Sequence, residues 1–122
     1  MRIAEWLRAQ PQIKEVLYPA LPGARGHELW KRDFIGSSGL FAVVLQPVAK
    51  ARIDAMLDGM DLFGMGWSWG GFESLMIPIY PERVQTATTW DAGGPCLRLA
   101  IGLEHSDDLI ADLTAGLARL AP

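Results

Sequence analysis

At the start of the chain Ile3, Trp6 and Leu7 recur at helical spacing with Arg2, Glu5 and Arg8 between them, and Pro11 closes the segment. This predicts a helix of about ten residues, with no Ser, Thr, Asp or Asn before it to accept its first amide protons; so short a helix needs its first turn continued or covered. Met1 therefore reads as an interruption. Ile13 to Tyr18, ending in Val16, Leu17 and Tyr18, predicts a short strand, and the Pro- and Gly-rich stretch from Pro19 to Gly26 a loop. Glu28 to Phe34, carrying Leu29, Trp30 and Phe34, predicts a short helix that Gly36-Ser37-Ser38-Gly39 breaks. The run Leu40 to Leu45 is the clearest strand, and because it is continuous rather than alternating it predicts burial on both faces.

Pro47 is read as opening a helix with Ile53, Met56 and Leu57 as its apolar stripe, Gly59 as its left-handed ending and Met60 just past it. Leu62 to Trp67 and Ser74 to Ile79 read as two strands separated by Gly70-Gly71, followed by a long polar connection from Pro81 to Pro95. Cys96 to Gly102 alternates, with Leu97, Leu99 and Ile101 on one face and Arg98, Ala100 and Gly102 on the other. The last helix is predicted with Ser106 as its cap, Asp107 and Asp108 at its positive end, and Leu109, Ile110, Leu113, Leu117 and Leu120 as its buried stripe. The expected fold class is α+β: a mostly antiparallel sheet with helices packed on one side, in one domain spanning residues 1–122.

The 122 residues are half hydrophobic and one-fifth charged, which argues against disorder, and a domain of this size buries roughly two-thirds of its unfolded surface. Eleven basic against fourteen acidic residues, without a block of like charge, disfavour nucleic acid or an anionic membrane as partner. The longest apolar run is too short to span a bilayer, and no signal peptide is apparent, so a cytoplasmic protein is expected. A single cysteine and two separated histidines fit a reducing compartment and no structural metal. Five tryptophans and a mean hydropathy of +0.16 are high for so small a chain, and suggest that some of its surface is meant to be covered.

Most chemical readings fail on spacing. In the cluster Gly64, Gly66, Gly70, Gly71 the third glycine of a dinucleotide fingerprint falls at Trp69, and no Lys-Ser or Lys-Thr follows. Cys96 lacks a base nearby and reads as core; His27 and His105 lie at helix starts; Met56 and Met60 read as packing; the carboxylates form no acid–base pair. Two places stand out. Arg98 interrupts an apolar strand beside the small residues Ala100 and Gly102, which is either a solvent-facing position or the open space a guanidinium needs to clamp a carboxylate. In Trp67-Ser68-Trp69-Gly70-Gly71-Phe72-Glu73-Ser74, aromatics alternate with glycine and serine. That is either a tight hairpin with a hydrophobic plug, or a loop offering amides and a hydroxyl beside an aromatic wall to an amino-acid-sized ligand.

The string GMGWSWGGFESL, followed by LRLAIGLEHSDDLIADLTAGLARL and preceded by VLYPALPG and GHELWKRDF, resembles the C-terminal domain of the Cys/Met-metabolism family of pyridoxal-phosphate enzymes, in order and spacing from Trp6 to Leu120. Gamma-carbon members tend to carry leucine where Trp69 stands, so the likeness is to the cystathionine beta-lyase branch. The resemblance implies the small domain of the aspartate-aminotransferase type of fold and cleavage of cystathionine to homocysteine, pyruvate and ammonia in methionine biosynthesis. It implies that Arg98 pairs with the substrate α-carboxylate, assisted by Ser68 and the Trp69 amide, with the Trp69 ring shaping the pocket. Trp67 departs from the tyrosine or phenylalanine usual there. Family members are roughly three times as long and carry the Schiff-base lysine and other cofactor contacts in a large domain. Lys14, Lys31 and Lys50 sit among polar or helix-surface neighbours, unlike a lysine activated by burial or nearby cations. The expectation is therefore a piece of a carbon–sulfur beta-lyase, with pyridoxal 5'-phosphate as the family's cofactor, no catalytic or cofactor-binding residue in this chain, and no activity alone. Its expected partners are an amino-acid substrate and either the missing large domain or intact lyase subunits, in a family that is homo-oligomeric. An independent amino-acid-binding or lyase-associating domain is the alternative, and a structural remnant the third reading.

Overall fold

The computed structural model describes residues 1–121. Its elements run α1 (Arg2–Arg8), β1 (Ile13–Leu17), α2 (His27–Asp33), β2 (Leu40–Leu45), α3 (Lys50–Asp58), β3 (Leu75–Ile79), a 3-10 turn (Pro81–Arg83), β4 (Cys96–Ala100) and α4 (Ser106–Ala118). The four strands form one antiparallel sheet in the order β1-β2-β4-β3. Ala42, Arg98 and Ile77 stand side by side across its middle.

Alternation along the strands divides the sheet into two faces. Phe41, Val43 and Leu45 of β2, Leu97 and Leu99 of β4 and Met76 of β3 join one core with Ile3, Ala4 and Leu7 of α1, Ile53, Met56 and Leu57 of α3, and Leu109, Leu113 and Leu117 of α4. The helices that contribute to the core thus lie on one side of the sheet, as the pattern predicts. Val44 on the opposite face is also fully buried, which agrees with the continuous apolar run of β2; Leu40 and Ala42 on that face are half-buried. Among the described residues no helix is long and apolar enough to cross a membrane.

Several boundaries differ from the sequence reading. Residues 62–67 form no strand; Gly64 alone makes a parallel bridge to Leu75. The amides of Asp61, Leu62 and Phe63 turn instead to the buried Asp112 carboxylate of α4, at 2.9, 2.8 and 3.3 Å, so they are not available to a ladder. The cap of α4 is His105, whose Nδ1 accepts from the Asp107 amide, while the Ser106 hydroxyl accepts from Arg2. That guanidinium also reaches Asp107 and ties the first turn of α1 to the first turn of α4. Pro47 precedes the start of α3, which begins after Ala49. Gly59 ends α3 at φ −100°, not left-handed, and a Cβ there would meet the flexible end of the Arg119 side chain at 2.7 Å. The exposed short helix α2 buries no residue, and Leu29 and Phe34 face outward.

Two features mark the sheet edges. The register of β1 against β2 shifts between Ile13 and Glu15, and β3 carries Pro78 in its ladder with β4.

Candidate functional site

Because Leu97 and Leu99 enter the core, parity sends the Arg98 side chain to the other face of β4. There its guanidinium meets the loop that leaves the sheet at Gly64 and returns at Ser74. Nη2 donates to the carbonyls of Trp67 at 2.6 Å and Ser68 at 3.1 Å, with Gly66 at 3.4 Å. The Trp67 ring lies 5.2 Å from the guanidinium carbon, within reach of a cation–π attraction. Nε is buried and has no hydrogen-bond partner. Arg98 is thus neither purely solvent-facing nor fully spent: one nitrogen holds the loop, and donor capacity remains. An unpaired donor of a charged group is costly when buried.

The structure brings Ser68 and Trp69 to the same place. Both are exposed on the loop, and Trp67, Trp69 and Phe72 leave 71%, 65% and 72% of their surfaces open, with Met65 beside them in the chain. A left-handed turn at Gly70, φ 74°, lets the chain double back behind Trp69 without strain. The arrangement is a basic planar group under a loop that carries a hydroxyl, free amides and an aromatic rim. It can hold a carboxylate.

Three residues that sequence reasoning did not single out fix this loop. Asp112 holds the approach to it through the 61–63 amides. Ser74, fully buried, and Glu104 hold its return. Burial pushes the Glu104 carboxyl up, but hydrogen bonds from the Ser74 amide, its own amide and the Ser74 hydroxyl together outweigh it and hold the group below its ordinary value. The readable trace of Asp112 was a carboxylate next to Leu113 in the middle of an apolar helix.

The lysines do not fit a Schiff-base role. Lys14 Nζ donates to the exposed Ala92 carbonyl and Lys50 is ion-paired with Asp54, whose hydrogen bond raises its pKa; Lys31 lies on the exposed face of α2. A Schiff-base lysine needs the opposite shift. The residues present therefore do not hold pyridoxal phosphate covalently. Cys96 is inert as well: burial, with Glu82 and Glu15 adding to it, pushes its thiol up to about 11. A cavity of about 420 Å³ opens by the start of β4, between Ile53, Ile79, Trp90 and Pro95, but neither Arg98 nor residues 66–69 line it.

Known proteins resemble this chain throughout its length. It is 51% identical over 124 residues to the cystathionine beta-lyase of Salmonella typhimurium, and 45% identical over 122 residues to an L-alanine/L-glutamate racemase of Wolbachia pipientis. In each case the match takes in 98% of this chain and only 31% or 30% of the relative. The fold superposes on cystathionine gamma synthase from Xanthomonas oryzae in complex with cystathionine, with a TM-score of 0.79 and 34% identity, over 97% of this chain and 32% of that one. The chain thus spans about a third of the length of the relatives it matches. Residues 1–118 match the Cys/Met metabolism PLP-dependent enzymes as a family. The chain belongs to that family.

Proposed function

We propose that this chain is the substrate-carboxylate-binding third of a pyridoxal-phosphate-dependent carbon–sulfur beta-lyase, acting on cystathionine to give homocysteine, pyruvate and ammonia. Arg98 pairs with the substrate α-carboxylate, Ser68 and the Trp69 amide complete the anion site, and the Trp69 ring bounds the pocket. The observation that carries this reading is the Arg98 guanidinium, with an unpartnered Nε, lying under an exposed loop that offers a hydroxyl, free amides and an aromatic wall together. Its chemistry suits a planar anion approached bidentately. The cofactor, when bound in such a family member, withdraws electrons from the substrate's α-carbon; this chain's residues contribute binding and orientation.

The named relatives support the same reading by what they share. Cystathionine, alanine and glutamate are all α-amino acids, so the α-carboxylate is the group common to the lyase and the racemase. A racemase therefore stands as the second reading, favoured by the 45% identity over nearly the whole chain. The same carboxylate site serves both, and the two-thirds of the relatives outside this match decide which bond breaks.

The test is a hybrid in which this chain replaces the matched third of the Salmonella typhimurium enzyme. Thiol release from L-cystathionine is expected, and Arg98→Ala should lower kcat/KM by roughly 30- to 5,000-fold, the 2–5 kcal/mol typical of losing one partner of a buried charged pair. Unchanged catalytic efficiency in Arg98→Ala removes Arg98 from the site. A hybrid that folds but racemises alanine without releasing thiol favours the second reading.

A further inference from the structure

The loop that carries Ser68 and Trp69 is held at two points, and both belong to β4 or its exit. At the tip Arg98 takes the carbonyls of residues 66–68. At the base most of the contacts pass through Ser74. Its carbonyl accepts from the Gly64 amide at 3.0 Å, which closes the loop on itself. Its amide donates to Glu104 Oε1 and its hydroxyl to Glu104 Oε2, each at 2.8 Å. The same hydroxyl accepts from the Gly102 amide at 2.9 Å. The Leu103 amide adds a bond to the Phe72 carbonyl at 2.8 Å. Gly102 permits this closeness: a Cβ there would lie 2.2 Å from the Phe72 oxygen and 2.6 Å from the Glu73 carbonyl carbon, both backbone atoms that cannot give way.

We propose that Ser74 and Glu104 are positioning residues for substrate recognition, locking the base of the 65–73 loop to the exit of β4 so that Ser68 and Trp69 stand at one place over Arg98. The proposal rests on the reading of those three residues as the carboxylate site. A carboxylate at 104 is the fitting partner because it alone offers two charged acceptors to the two donors of one serine. An amide at 104 keeps one acceptor for the Ser74 amide and leaves the buried hydroxyl proton without one. Without the lock the loop samples more conformations, and affinity falls by the fraction of time the binding-competent one is lost, while the chemistry of the bound state is retained.

The experiment has two readouts. Amide hydrogen exchange on the 122-residue chain should show the lock's own donors, the amides of Gly64, Ser74, Gly102 and Leu103, exchanging about tenfold faster in Ser74→Ala and in Glu104→Gln, with β2 and α4 unchanged, as expected for local opening. In the hybrid lyase both variants should raise KM for L-cystathionine by about tenfold while kcat stays within about twofold. Wild-type exchange rates at these four amides in Glu104→Gln, uniform loss of protection through the sheet, or an unchanged KM would overturn the proposal. Should Ser74→Ala not fold, Glu104→Gln, the milder change at a half-buried position, carries both readouts. Failure of the carboxylate reading is separable, because it appears as an unaffected Arg98→Ala hybrid, whereas the exchange measurement judges the lock without any substrate.

Discussion

At the scale of single residues, function on this chain depends on which polar groups are spent and which are not. Arg98 was legible as a candidate because it breaks an apolar strand next to Ala100 and Gly102, and the sheet indeed turns it away from the core. That one of its nitrogens would be occupied by the carbonyls of residues 66–68 was not legible, since nothing in the local pattern says how a glycine-rich loop folds back onto a distant strand. At the same place the Trp67 ring lies 5.2 Å from the guanidinium carbon. Cys96 is the opposite case, a reactive side chain made inactive by its place. With its thiol raised from 9.0 to about 11, the native protein at pH 8 should be alkylated by iodoacetamide about a hundredfold more slowly than the unfolded chain, because two pKa units remove that share of thiolate. The native rate should rise about tenfold per pH unit and level off only as the pH passes 11. Equal rates before and after denaturation would show an accessible thiol and a different strand register.

At the scale of elements, the strands and helices with strong periodicity were legible almost in full: β2 and β4 from their apolar runs, α4 from its leucines. The failures share a cause. Residues 62–67 have the composition of a strand, but their first amides are drawn to Asp112, a buried carboxylate far away in sequence. The cap of α4 went to His105 because Arg2 occupies the hydroxyl of Ser106. In both places a long-range polar contact outbid a local preference. Asp112→Ala would leave three loop amides without their acceptor, and we expect it to destabilise the fold by about 2–3 kcal/mol in urea unfolding, the usual cost of stranding buried donors. A loss under about 0.5 kcal/mol would mean that water replaces the carboxylate at little cost.

At the scale of the whole molecule, the exposed apolar residues include a cluster on one loop, Met65, Trp67, Trp69 and Phe72, around the site proposed for substrate, while Leu29, Phe34, Ile35, Val84 and Leu103 are exposed elsewhere. Two of the five tryptophans thus form a rim rather than joining the core. None of the three lysines is placed to form a Schiff base, so the chain alone, mixed with pyridoxal phosphate and L-cystathionine, should give no cofactor absorbance beyond that of free lysine at equal concentration and no thiol. Thiol release would overturn the division of labour proposed above. The edges of the sheet bear on how such a chain can meet a partner. On the outer side of β3 the Met76 amide is already taken by the Gly64 carbonyl, and Pro78, next in phase, has no amide to offer. On β1 the irregularity between Ile13 and Glu15 disturbs the other edge. The β3 border is therefore a poor template for a further strand, and recruitment of a partner by strand addition is disfavoured at that edge.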